Sequence, residues 1–476
     1  MNTQDSLLAN RTIRLLILLA GAVLGSAAVA QEYSAEDLAR RSVERRGVEA
    51  VIWGMPAVNL EILFQERHKV KADWNQVLYW SRLPDWMNQT LTPNPDTTYF
   101  FPLYNTQDGP VVIEIPPAGE GSITGTFDDA WQNALEDVGP AGVDKGKGGK
   151  YLILPPGYKG DVPTGYIPLQ SATFTGFGGL RSNVKSGSDA DVAKAIAYGM
   201  QVKVYLLSQA ASPPPTKFVD GVGVEIGNII PYDLRFFEAL HGFVQREPWL
   251  ERDKAMIDPL KSLGIEKGKP FTPDARTKEL LMTAAQEAKA WLDARYENAF
   301  PPYFAGTHWA VPADHEVIEG MASAFAKPDS YPVDGRGLTY SFAYASIKHL
   351  GAGQFYLITA QDNEGRHLAG DRTYRLHVTP NAPVKLYWSV TVYDRATHAF
   401  IREAKWMSRS SLTPGIRKNK DGSVDVWFGP TAPAGKQANW IPTNAGGEFE
   451  LLFRLYGPEK PLYDKTWTLP DLEEMK

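Results

Sequence analysis

The chain has 476 residues, no cysteine, 49 Lys and Arg against 55 Asp and Glu, and 43% hydrophobic residues. That length exceeds the usual ~100–200 residues of one domain, and the lack of cysteine excludes a disulfide framework, a thiolate metal centre and a cysteine nucleophile. A net charge of −6 with mixed signs argues against the basic face that nucleic-acid binding requires.

Arg11 and Arg14 precede an apolar run from Leu15 to Leu24, and small residues lead on to Ala28-Val29-Ala30. A basic start, an apolar middle and an A-x-A end are the parts of a secretory signal. The run falls short of the ~20 residues of a spanning helix. The expectation is cleavage after Ala30 and a mature protein that is periplasmic or secreted, with no later stretch able to span a bilayer.

Ser34-Ala35-Glu36-Asp37 reads as a helix start. Leu38, Val43, Val48, Val51, Ile52 and Met55 follow at mostly helical spacings, with a kink expected at Pro56. Strands are predicted at 111–115, 122–127, 151–154 and 171–177, separated by Pro-Pro, Gly-Gly and Asp-Gly turns. Helices are predicted over 189–208, 232–245 and 274–298. In the last, Leu280, Leu281, Ala284, Ala288, Trp291 and Leu292 form an apolar stripe expected to pack on a β domain. Strands return at 354–361, 373–378, 385–393, 423–428 and 449–456, with Asn419-Lys420-Asp421-Gly422 as a hairpin turn. The predicted fold is mainly β with an α insertion. Two β-sandwich or jelly-roll-like domains, 31–188 (opening with a helix) and 327–476, flank a mostly helical segment, 189–326.

No nucleophile elbow, zinc helix, P-loop or dinucleotide fingerprint occurs, and the eight histidines match no zinc spacing. Chemistry concentrates instead between Pro84 and Phe100. Pro93 and Pro95 favour extended geometry at Thr92 and Asn94, so a continuing strand projects Asn94, Asp96 and Thr98 to one side. Hard oxygen donors on one face suit a divalent cation, calcium or magnesium, ligated by Asn94 and Asp96. Asp128, shortly before Trp131, adds a carboxylate as base or ligand, and Tyr99 borders the cluster. The competing reading is that Asn94 and Asp96 cap local turns. A second concentration comprises Tyr393, Asp394, Arg402, Arg409 and Trp440. It suits recognition of an anion or of sugar hydroxyls, or else a structural Asp394–arginine pair with Arg409 or Arg454.

The run Leu91-Thr92-Pro93-Asn94-Pro95-Asp96-Thr97-Thr98-Tyr99, with Phe127-Asp128-Asp129-Ala130-Trp131-Gln132-Asn133 and the segment from Tyr151 to Tyr158, resembles the domain of unknown function 1254. The C-terminal part is similar to its usual companion, the domain of unknown function 1214. The carriers are Tyr387-Trp388-Ser389-Val390-Thr391-Val392-Tyr393-Asp394, the stretch from Asp421 to Pro430, Asn439-Trp440-Ile441-Pro442-Thr443 and Phe453-Arg454-Leu455-Tyr456-Gly457-Pro458. The resemblance implies a two-part jelly-roll-like architecture with a helical insertion, frequently exported from Gram-negative cells. It implies no reaction.

Two functions remain open on the residues. One is a cell-envelope hydrolase, assisted by a divalent cation, with Asp96, Asp128 and Tyr99 as catalytic residues and Asn94, Thr98, Trp131, Arg409 and Trp440 binding substrate. The other is a non-catalytic protein whose sheet faces hold a small-molecule or polymer ligand, or another copy of the chain as a homo-oligomer.

Overall fold

The computed structural model describes residues 33–313, 315–349, 351 and 353–475. The leader expected at 1–30 lies outside the described residues. The chain is rich in sheet, with a helical segment between its two β regions.

Ala35–Glu66 is one helix, started by the Ser34 side chain, which accepts the Asp37 N–H. Pro56 does not end it. Proline removes the donor that would reach the Ile52 carbonyl, and Gly337 packs into the vacated place, so close that a Cβ there would stand 2.8 Å from the Ile52 oxygen. From Gly47 to Phe64 nearly every residue is buried, because the helices Leu234–Arg246, Ala275–Tyr296 and Val333–Phe342 pack around it. Two polar side chains inside this run are fully engaged. Asn59 donates to the carbonyls of Tyr340 and Ala343 and accepts from Asn228, and Glu61 pairs with Arg246. A helix enclosed on all sides carries no polar stripe. It is therefore long and apolar enough to cross a membrane by length and composition alone. This corrects the expectation that no stretch beyond the leader qualifies; most of the run is buried within the protein.

The stripe on Ala275–Tyr296 also finds a different partner from the one expected. Leu281, Ala284, Ala288 and Leu292 are buried, Leu280 and Trp291 are half-buried, and the face meets the first helix, where Gly47 admits the Ala284 methyl. The segment 189–326 is less purely helical than its pattern. After Asp189–Gly199 come three short strands, Lys203–Leu206, Phe218–Asp220 and Ile226–Gly227, which pair with Val111–Ile115, Gln76–Tyr79 and Asn88–Gln89. Strands of two to four residues are too short for alternation to register.

The N-terminal β region is a sandwich. A four-stranded sheet runs in the order Lys203–Leu206, Val111–Ile115, Gly149–Leu154, Tyr166–Gln170. It packs Ile113, Tyr151 and Ile153 against Phe100, Tyr104, Phe127 and Leu180 of a seven-stranded sheet. In the larger sheet Thr175–Gly178 and Leu180–Ser182 keep one register with Thr98–Asn105 and with Ile123–Asp129. They act as one central strand interrupted at Gly179. The C-terminal region pairs two four-stranded sheets, Gln354–Thr359, Phe449–Pro458, Val384–Asp394, Ser408–Ser410 and Trp440–Pro442, Val424–Gly429, Thr373–Val378, Glu473–Met475. Leu357, Val390, Phe453, Tyr374, Leu376 and Phe428 fill the space between them.

Candidate functional site

Side chains alternate along a strand, so each large sheet has a second face, and these two faces meet. On the N-terminal sheet the row opposite Phe100 and Leu180 contains Tyr99 and Phe101, then Gly179 and Arg181, then Thr126. On the C-terminal sheet the corresponding face carries Tyr356, Arg454 and Leu452. Between them lies a cavity of about 130 Å³, closed at the sides by Val311–Ala313, Ile318, Met321 and the stretch Thr339–Ile347. Gly179 makes the floor low, since it has no side chain where its neighbours on the row carry rings and a guanidinium.

Two arginines line this space. Arg454 donates to the Thr391 hydroxyl at 2.9 Å, to the Thr92 carbonyl at 2.8 Å and to the Tyr393 hydroxyl at 2.7 Å. All are neutral acceptors. Arg181 lies over the Tyr99 ring, 5.4 Å from its centre, and its Nε is sealed from solvent without a hydrogen-bond partner. No described carboxylate stands within ion-pair distance of it. Burial acts against its charge, and the groups that favour that charge are the hydroxyls of Tyr356, Tyr99, Tyr456 and Tyr344, which are neutral at physiological pH.

The proline-stiffened loop forms part of the cavity rim and clasps the two β regions together. Thr92 sits at φ +40°, a conformation that costs a β-branched residue free energy, instead of the extended geometry expected before proline. Its N–H donates to the His398 carbonyl at 2.7 Å and its own carbonyl accepts from Arg454. The Pro93 carbonyl accepts from Tyr393 at 2.5 Å. Asn94 accepts the Asp96 N–H at 2.9 Å and donates its amide to Tyr456 at 2.6 Å, while its own N–H donates to the Tyr99 hydroxyl at 2.8 Å. Asn94 is thus an Asx turn whose oxygen is committed to the backbone, and it does not converge with Asp96 as a metal ligand. Among the described residues no group of three or more His, Asp or Glu is placed to hold a metal ion.

Asp96 faces outward into a groove of about 870 Å³, which it shares with Arg409, Trp406 and Trp440. Its Oδ1 accepts from Ser408 at 3.0 Å, while Oδ2 is sealed and unpartnered. Burial pushes its pKa up to about 6, against the opposing pull of Ser408, Arg454 and Arg409. Arg409 donates to the carbonyls of Ala438 and Ser408 and lies 5.0 Å over the Trp406 ring; burial lowers its pKa to about 10. The structure therefore brings Asp96, Arg409 and Trp440, which belonged to two separate concentrations in the sequence, to one groove, and Tyr99 to the neighbouring cavity.

The other expected residues lie elsewhere in the packing. Thr98 donates to the Ser182 carbonyl at 2.9 Å within the sheet. Trp131 is wedged edge-on between Trp53 and Phe243, at 5.0 and 4.9 Å, under the helices. Asp128 shares the sheet face of Thr126 but is fully buried, with neither oxygen hydrogen-bonded. Burial, then Asp129 and Asp137, drive its pKa well up. Asp394 meets no arginine among the described residues; it caps a turn by accepting the N–H groups of Ala396 and Thr397. Its neighbour Arg395 makes the ion pair instead, with Glu297 at 2.7 Å and Glu450 at 3.9 Å. Glu450, completely buried, also accepts from Tyr296 at 2.7 Å and meets the His398 ring at 2.8 Å. Arg181, whose Nε is sealed and unpartnered beside the cavity, carried no signal in the sequence. It is a lone arginine in the three-residue strand Leu180–Ser182, and only the opposing sheet gives it meaning.

Residues 74–204 match the family described as "Protein of unknown function (DUF1254)" and residues 353–460 match "Protein of unknown function (DUF1214)". The fold is similar to that of the VPA0106 protein from Vibrio parahaemolyticus, at 16% identity and a TM-score of 0.56, covering 91% of this chain and 100% of that one. An uncharacterized protein from Burkholderia cenocepacia aligns over 92% of this chain and 95% of its own, at 12% identity and a TM-score of 0.39. No curated protein matches.

Proposed function

The chain belongs to the proteins that pair a DUF1254 with a DUF1214 domain, and from that premise we propose that it is an exported, non-catalytic binding protein that encloses a small molecule between its two β regions. The observation that supports this is the cavity under Arg181 and Arg454. It is partly enclosed, mostly apolar and supplied with a few convergent polar groups, the usual make-up of a small-molecule site. Its 130 Å³ is close to the roughly 150 Å³ of an engineered apolar cavity that takes up benzene.

Filling the cavity tests the reading. Gly179 lies in a central strand, and a Cβ there would meet Ala345 at 3.4 Å and Phe177 at 3.6 Å, so Gly179→Val fits the strand while its methyls occupy the floor. Ring-sized organic probes are expected to raise the melting temperature of the wild type and not that of the variant. Equal responses overturn the proposal. Export is tested by intact mass of the protein from the producing cell. A species beginning at Gln31 supports it, and one retaining Leu15 to Leu24 overturns it.

A second reading, hydrolysis in the outer groove, is favoured by the position of Asp96 on that groove and its pKa of about 6, which suits a general base near neutrality. Turnover of ester or phosphoester substrates that Asp96→Asn abolishes would support it.

A further inference from the structure

Arginine keeps its charge in proteins, and removing that charge from water is costly unless an anion meets it. At two sites of this molecule that rule is kept. Arg246 meets Glu61 and Glu247, and Arg395 meets Glu297 and Glu450. Arg181, half-buried, departs from it, with its Nε sealed and unpartnered and its neighbours aromatic. Across the gap Arg454 adds a second positive charge held by neutral acceptors, and the carboxylate that acts on it, Asp96, faces the outer groove. The cavity therefore has a positive lining on otherwise apolar walls, including Leu91, Phe101, Ile318, Met321, Phe342 and Leu452.

We infer that the cavity takes a small monocarboxylate with a compact apolar or aryl body, about the size of benzoate, whose carboxylate meets Arg181 in the field of Arg454. This rests on the cavity being a ligand site, as proposed above. Guanidinium and carboxylate match as a two-pronged hydrogen-bonded pair, and the apolar walls accept the ring. Inorganic anions satisfy only the first requirement, and neutral arenes only the second.

The test uses the full mature protein with benzoate, its neutral isosteres benzamide and benzyl alcohol, and inorganic phosphate. Titration calorimetry is expected to show benzoate binding at least tenfold more tightly than either isostere or phosphate. Arg181→Met is expected to abolish the benzoate response. By removing an uncompensated charge it should also raise the melting temperature of the ligand-free protein, an outcome opposite to that of a structural arginine. If the isosteres bind as well as benzoate and Gly179→Val blocks all three, the carboxylate inference is overturned while the cavity remains a binding site. Phosphate binding as tightly as benzoate overturns the apolar-body half. No response to any organic probe in the wild type overturns both. Should Arg181→Met fail to fold, the ratio of benzoate to benzamide affinity in the wild type decides alone.

Discussion

Two places in this protein hold a half-buried arginine, and they treat it in opposite ways. At the joint between the helix Ala275–Tyr296 and the C-terminal sheet, Arg395, Glu450, His398, Tyr296 and Glu297 form a closed network. Glu450 keeps its pKa below the ordinary value there, because His398 and Arg395 outweigh the burial that would raise it. At the cavity Arg181 is left without an anion. The contrast separates a charge retained to hold two elements together from one held ready for something that arrives later.

The comparison breaks most visibly at the network. Glu450→Gln should leave Arg395 and His398 without their shared carboxylate and cost about 3–5 kcal/mol, read as a lower urea midpoint. Next comes Asp96. Its carboxyl binds a proton more tightly in the folded protein than in the unfolded chain, so protonation stabilises the fold. That contribution is full below about pH 4 and is lost as pH rises through about 6. Allowing for its partial exposure, the wild type should lose about 1–3 kcal/mol between those limits through this group. Asp96→Asn should lack that component, which denaturant unfolding at a series of pH values would reveal. Smaller and of opposite sign, Arg181→Met should gain about 1 kcal/mol without ligand; a loss like that of Glu450→Gln would make Arg181 structural too. Smallest of all, Asp394→Asn keeps the turn-capping oxygen and should stay within about 0.5 kcal/mol, whereas a large loss would reveal a hidden ion pair.

Much of the architecture was legible because it depends on local pattern. Strands such as Val111–Ile115 and Val424–Gly429 are bounded by turn residues, and the helix Ala275–Tyr296 shows its buried face at helical spacing with Asp274 as its cap. What escaped depends on distant partners. The strand Phe218–Asp220 exists because Gln76–Tyr79 offers it an edge. Asp394 was a plausible ion-pair residue until the sheet turned Arg395 toward Glu297. The loop around Asn94 drew notice for its chemistry, and its polar groups proved to be spent locally, with Asn94 donating N–H groups to Tyr99 and Tyr456 and the Thr92 carbonyl accepting from Arg454. Arg181 needed the two sheets to face one another before its isolation had meaning.

The enclosed first helix has a consequence for how the protein comes into being. Its apolar run leaves the ribosome well before the helices that cover it, the last of which ends at Phe342. At about 5–20 residues per second that interval is roughly a quarter of a minute to a minute. During it the nascent chain displays a segment apolar enough for a lipid bilayer. Asn59 and Glu61 lie inside that run, and polar groups within hydrocarbon are expensive. They act twice in the life of the molecule, first as a brake on insertion, then as latches when Tyr340, Asn228 and Arg246 arrive to claim them.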